Sequence, residues 1–190
     1  MMKLLVAALL SLMTLPACAA ELTSEYTRND PQQDCETFDQ SGSGEGEWSD
    51  IVCPGVNGYP YYIIGTDGRE AVTYGYAQRS GMPTFAAFNY AHSTVEWRMA
   101  KQNRKTIPVA AIQRFYLADG DGDWSTQILV VSKVGQPNGG GACVIGYIAA
   151  NEGASANRRA RELSNGAPAF RCGRDRPTIE AKVRQHVQQF

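Results

Sequence analysis

Apolar and polar positions alternate through the middle of the chain. Over residues 93–100, Val95, Trp97 and Met99 alternate with Thr94, Glu96 and Arg98. That period of two predicts a strand with one buried face. Two further β-rich runs, 59–64 and 70–77, flank Gly65-Thr66-Asp67-Gly68-Arg69. The Asp-Gly pair predicts a hairpin, because both turn residues must accept positive φ. In the first arm Tyr59 and Tyr61 share one face and Tyr62 and Ile64 the other; in the second, Val72, Tyr74 and Tyr76 fall together.

Shorter strands are predicted over 47–53 and 142–149, and a second hairpin over 112–118 and 127–134 with Asp119-Gly120-Asp121-Gly122-Asp123 at its tip. Val109, Ile112 and Tyr116 also fit helical spacing, so this first arm is open to either reading. The apolar segment 82–90, with Phe85 and Phe88, reads as a connection covering a sheet edge.

The pattern changes near the C-terminus. Ala156, Ala160 and Leu163 recur at i, i+4, i+7, with Arg158, Arg159 and Arg161 between them and Asn165-Gly166 as a stop. This predicts a short amphipathic helix with its arginines in water. A second helix is predicted after Pro177, with Ile179, Val183, Val187 and Phe190 on one stripe and His186 beside it. Strands followed by helices indicate an α+β fold. A single, mostly antiparallel sheet or open barrel of about six or seven strands is expected, with one or two C-terminal helices.

The first twenty residues stand apart. Lys3 precedes an apolar run from Leu4 to Leu15, followed by Pro16 and small residues. This is the layout of a secretory signal, and the run is too short to span a bilayer as a helix. Residues 21–190 are then one exported domain. Leu15-Pro16-Ala17-Cys18 also resembles a bacterial lipobox, which leaves two expectations: soluble release, or a lipid anchor at Cys18. No later run has the length of a membrane helix.

Export changes how the cysteines are read. Cys35, Cys53, Cys143 and Cys172 form an even set in an oxidising compartment, and chain order favours Cys35–Cys53 and Cys143–Cys172. Metal-type CxxC spacing is absent from the sequence, and His92 and His186 lie far apart in it.

The composition is that of a globular domain, 43% hydrophobic and 19% charged. A formal net charge of −1 gives no footing for nucleic-acid binding. The charge is unevenly spread: residues 21–70 carry eleven acids against two arginines, and 151–190 carry eight Lys or Arg against four acids. These segments can complement each other, face solvent, or form a basic anion-binding face.

Candidate chemistry is sparse. Asp119, Asp121 and Asp123 match the opening of an EF-hand loop, but Trp124 stands where Gly is needed and Val130 where an acid is needed. They remain weak metal candidates on a polar hairpin tip. Gly42-x-Gly44-x-Gly46 lies among acids that repel a pyrophosphate. The sequence contains no Walker A stretch and no G-x-S-x-G elbow, and it singles out no catalytic residue and no cofactor. Aromatics are the better lead. Tyr59, Tyr61 and Trp48, with the 41–47 loop, are the expected contact surface for an envelope protein or glycan.

Residues 47–55 (EWSDIVCPG), Gly58-Tyr59-Pro60, Val95-Glu96-Trp97-Arg98, residues 143–148 (CVIGYI) and Phe170-Arg171-Cys172-Gly173 together resemble a group of small exported proteins of alphaproteobacteria. The resemblance implies a periplasmic or envelope setting and carries no activity or catalytic residue. That setting is similar to that of periplasmic lysozyme inhibitors, although Ser41-Gly42-Ser43-Gly44 lacks the Tyr that would follow in one such group. A non-enzymatic binding or accessory protein is the leading expectation. The alternatives are an envelope-directed hydrolase and a structural lipoprotein.

Overall fold

Turn chemistry and two-residue alternation build most of the architecture. The computed structural model describes residues 22–41, 48–76, 85–102 and 104–187. Among these, the strands in chain order are β1 (Thr23–Arg28), β2 (Glu36–Gln40), β3 (Trp48–Cys53), β4 (Tyr61–Thr66), β5 (Arg69–Tyr74), β6 (Asn89–Gln102), β7 (Lys105–Leu117), β8 (Thr126–Lys133), β9 (Cys143–Ala149) and β10 (Thr178–Ile179). One α-helix, α1 (Ala154–Ser164), lies between β9 and β10. Short 3-10 turns occupy Val56–Gly58 and Ala181–His186.

The strands form two sheets. The larger has the order β1-β6-β7-β8-β9-β10, and the smaller β2-β3-β4-β5. All named pairings are antiparallel except β9 with β10. The α+β class therefore holds, with the strands divided between two sheets where the sequence suggested one. The additional strands are β1, β2 and β10, whose short runs lack clean alternation. Asp67 and Gly68 take φ of 49° and 67°, and Thr66 pairs with Arg69 across the turn. The predicted Asp-Gly hairpin forms for the predicted reason.

Strand β6 supplies both faces of the core. Val95, Trp97 and Met99 pack against Cys53, Tyr61, Ile63 and Tyr74 of the smaller sheet. Trp97 meets Tyr61 and Tyr74 edge-on, with ring centroids 6.2 and 5.7 Å away. Gly55 is required there, because an added Cβ would overlap the Tyr59 carbonyl and the Trp97 ring. The opposite face is buried as well, contrary to the half-exposed strand that alternation implies. Glu96 and Arg98 are only 8% and 6% exposed.

Helix α1 causes that burial. Ala156 and Ala160 are fully buried and pack on Ala110, Ile112, Leu129 and Val131. Small residues let the helix lie close to the sheet. The predicted stripe is thus the packed face, with Leu163 at its edge. Two of the helix arginines do not simply face water. Arg159 Nε donates to Glu180 Oε1 at 2.7 Å, and Arg161 Nε to Glu96 Oε1 at 2.6 Å. Only Arg158 lies out, near Glu162. The predicted second helix is replaced by strand β10 and a 3-10 turn, which bury Val183 and Val187 against Phe115, Leu117 and Val130. Phe190 lies outside the described residues.

Both predicted disulfides form, Cys35–Cys53 and Cys143–Cys172, with sequence separations of 18 and 29 residues. Each stabilises the fold by about 3 kcal/mol in the chain-entropy description. The first ties the β2 end to β3, and the second ties β9 to the segment after α1. No described helix is long and apolar enough to cross a membrane.

Candidate functional site

The aromatic residues singled out by sequence are mostly core. Tyr61 is 1% exposed, stacked on Tyr74 and edge-on to Trp97. Tyr59 is buried, and its hydroxyl donates to Gln136 Oε1 at 2.9 Å. Trp48 is half-buried at the start of β3. The alternation in β4 is as expected, but the polarity is reversed. The Tyr61–Ile63 face packs on the larger sheet, and Tyr62 and Ile64 lie on the more open side. The cause is the second sheet, which no local pattern announces. Residues 42–47 of the proposed contact loop lie outside the described residues.

The three candidate metal carboxylates are not brought together. Asp119 Oδ1 accepts the backbone N–H groups of Asp121 and Asp123 at 3.0 and 2.9 Å. It closes its own loop as an Asx turn. No group of three His, Cys, Asp or Glu side chains placed for a metal occurs among the described residues.

A different aromatic group occupies the surface. Tyr90 in β6 stands directly opposite Tyr116 in β7, the register the β6–β7 hairpin dictates. Their rings stack with centroids 5.0 Å apart and an 18° interplanar angle. Trp124, just past the Asp-Gly tip, meets Tyr90 at 5.0 Å and 62°. The three rings form a step that stands up from the sheet. Tyr90 is 41% and Trp124 43% exposed.

Other exposed aromatics are already engaged. Tyr26 accepts a hydrogen bond from Arg161, Tyr76 donates to the Gly58 carbonyl, and the Arg69 guanidinium covers Phe88. By contrast, the Tyr90 and Tyr116 hydroxyls and the Trp124 indole N–H have no hydrogen-bond partner among the described residues.

The surrounding face is set by strand parity. On β7, Ile112, Arg114 and Tyr116 point to the α1 side, and on β8 Gln127 and Leu129 do the same. Helix α1 covers Ile112 and Leu129 but begins only at Ala154, so Arg114, Tyr116 and Gln127 extend beyond it. Arg114 Nη1 donates to Gln127 Oε1 at 2.6 Å and reaches the Ala150 carbonyl. On β1, Tyr26 touches α1 through Arg161, which puts Arg28, two residues on, on the same face.

Between these strands β6 bulges. Its register shifts between Ala91 and Val95, which pushes out residues 92–94. Buried Gln113 holds the bulge, donating from Nε2 to the His92 carbonyl at 2.6 Å while its Oε1 accepts the Tyr74 hydroxyl. His92 Nδ1 accepts the Thr94 N–H at 3.1 Å, which leaves the imidazole proton on Nε2. Burial, and then the charges of Arg114 and Arg28, pull the His92 pKa below the usual imidazole value. His92 is therefore neutral at pH 7, a hydrogen-bond donor between two guanidinium groups.

Sequence reasoning missed these residues. Tyr90 was placed in a connection, and its meeting with Tyr116 depends on the β6–β7 register. The one local signal is Trp124, an aromatic directly after a polar turn, where no core position is expected.

Comparisons with protein-family models, with curated proteins and with solved structures gave no match. The reading of the site rests on its own geometry.

Proposed function

We propose that the protein is an exported, non-enzymatic binding module that takes a glycan on the Tyr90–Tyr116–Trp124 step. The observation that carries this reading is a group of three rings, two exposed and one half-buried, whose polar atoms have no partner among the described residues. Aromatic rings stack on the apolar C–H faces of sugar rings, while phenol, indole and amide groups bond their hydroxyls. The step has both parts, with Gln127 and His92 at its rim. Its rings are held by strand pairing and a closed turn, so little ordering is lost on binding. The two disulfides fit an oxidising, extracytoplasmic setting, and the N-terminal apolar segment supplies the expected export signal.

The test is an oligosaccharide array of cello-, xylo- and chito-oligosaccharides together with oligouronates. It is probed with the mature chain and with Tyr90→Ala and Trp124→Ala. One saccharide class is retained by the wild type and lost by both variants, which melt at the wild-type temperature. Retention of no saccharide, or unchanged retention by both variants, overturns the reading.

A further inference from the structure

On the α1 side of the sheet, the side chains that rim the step with an open hydrogen-bonding position are donors: Arg28, Arg114, Gln127 and His92. Arg28 is exposed and makes no hydrogen bond or ion pair among the described residues. Arg114 bonds only the neutral oxygens of Gln127 and Ala150. Gln127 accepts from Arg114 through Oε1, which turns its amide N–H groups outward from that bond. His92 offers Nε2–H and Trp124 its indole N–H.

The arginines elsewhere on this face are arranged differently. Arg161 is matched to Glu96 through Oε1 and Oε2 at 2.6 and 3.2 Å, and Arg159 to both Glu152 and Glu180. Of the three acids at the hairpin tip, Asp119 is turned into its own loop, and Asp121 and Asp123 are exposed at the tip and lie off the strand positions that carry Arg28 and Arg114. Among the described residues of this sheet face, the guanidinium groups without a carboxylate partner, Arg28 and Arg114, thus flank the aromatic step.

We infer that the glycan bound on this step is acidic, with its carboxylate groups held by Arg28 and Arg114 and one sugar ring stacked at Tyr90 and Trp124. This rests on the glycan reading above and adds the charge of the ligand. A planar guanidinium matches a carboxylate through two parallel N–H···O bonds, which a neutral sugar cannot offer. Two positive groups on separate strands, β1 and β7, suit charges repeated along a chain better than a single anion. An acidic peptide shares the charge but not the ring faces.

The deciding experiment uses calorimetric titration of the mature chain with hexagalacturonate and with its fully methyl-esterified form, in which each carboxylate is replaced by a neutral ester on the same sugar backbone. The acid binds at least about tenfold more tightly than the ester, the effect of one charge-assisted contact or more. The preference shrinks as salt is raised. Arg28→Gln, at an exposed site whose side chain makes no hydrogen bond or ion pair among the described residues, removes most of the preference by lowering the affinity for the acid towards that for the ester. Arg114→Gln removes the remainder. Equal affinity for acid and ester overturns the acidic-ligand inference while the glycan reading stands. An acid preference that survives Arg28→Gln and Arg114→Gln together also overturns it. Binding of poly-glutamate in place of either saccharide overturns both readings.

Discussion

Gln113 links the core to the exposed step, and its replacement is the sharpest test of the described geometry. It is 2% exposed, accepts the Tyr74 hydroxyl through Oε1 and donates to the His92 carbonyl at 2.6 Å. Tyr74→Phe removes one donor and leaves a buried amide oxygen without its partner. An unsatisfied buried polar group costs about 1–3 kcal/mol. For a chain of this size each kcal/mol lowers Tm by about 2–4 °C, so a fall of about 4–8 °C is expected for a loss of about 2 kcal/mol. Gln113→Leu costs more, because it leaves both the Tyr74 hydroxyl and the His92 carbonyl unmatched. It also frees the bulge, so saccharide affinity falls with stability. The double variant Tyr74→Phe, Gln113→Leu removes both partners of one bond. It lies closer to Gln113→Leu than the sum of the single effects by about 1 kcal/mol. Thermal melts and urea titrations followed by circular dichroism measure all four proteins. A Tyr74→Phe melt within about 1 °C of wild type, well under the shift expected per kcal/mol, or strict additivity of the two changes, would refute the reasoning.

Burial pushes the Tyr147 pKa from 10.0 up to about 12. Between these values the unfolded chain releases a proton that the fold retains, so the Tyr147 contribution to stability is intact below pH 10 and is lost towards pH 12, by at most about 2.7 kcal/mol. Tyr147→Phe flattens this alkaline limb in pH-dependent urea titrations; an unchanged slope removes the assignment. Replacing both Cys143 and Cys172 by Ser lowers stability by about 3–4 kcal/mol for a loop of this length, read as a shift in urea midpoint. A loss below about 1 kcal/mol contradicts the chain-entropy account. Ala160→Leu forces a larger side chain between α1 and the sheet and costs about 1–3 kcal/mol, whereas Arg158→Ala on the open side of the same helix changes the melt little.

What was legible in the sequence follows the range of the interactions involved. The Asp67-Gly68 hairpin, the β6 alternation, the α1 stripe and the two disulfides are fixed by residues close in the chain, and each forms as expected. The exposed face of β4 was misassigned because period-two alternation gives two faces without saying which is covered. That depends on Trp97 and Met99 arriving from another sheet. Alternation puts Glu96 and Arg98 at the surface for the same reason, since α1 and the Leu22–Ser24 segment, both distant in the chain, cover them. The candidate site was least legible. Tyr90 and Tyr116 meet through a hairpin register, and Arg28 joins them because β1 pairs with β6 across the whole smaller sheet. The aromatic lead points at rings that pack the core, Tyr59 and Tyr61.

That placement of the smaller sheet dictates an order of assembly. Strands β2 to β5 are sequence neighbours joined as a meander, so their pairing closes only short loops. Strand β1 must find a partner about seventy residues on, the separation that Trp97 and Thr27 bridge through a 2.8 Å hydrogen bond. Its docking closes one long loop around a sheet that is already built, and non-local closure is slow. Pulse-labelled hydrogen exchange during refolding should therefore protect β4 and β5 amides before those of β1; simultaneous protection would contradict this. Arg28 rides on that late-docking strand, so the chain acquires its full complement of guanidinium groups around the aromatic step only after the smaller sheet has closed.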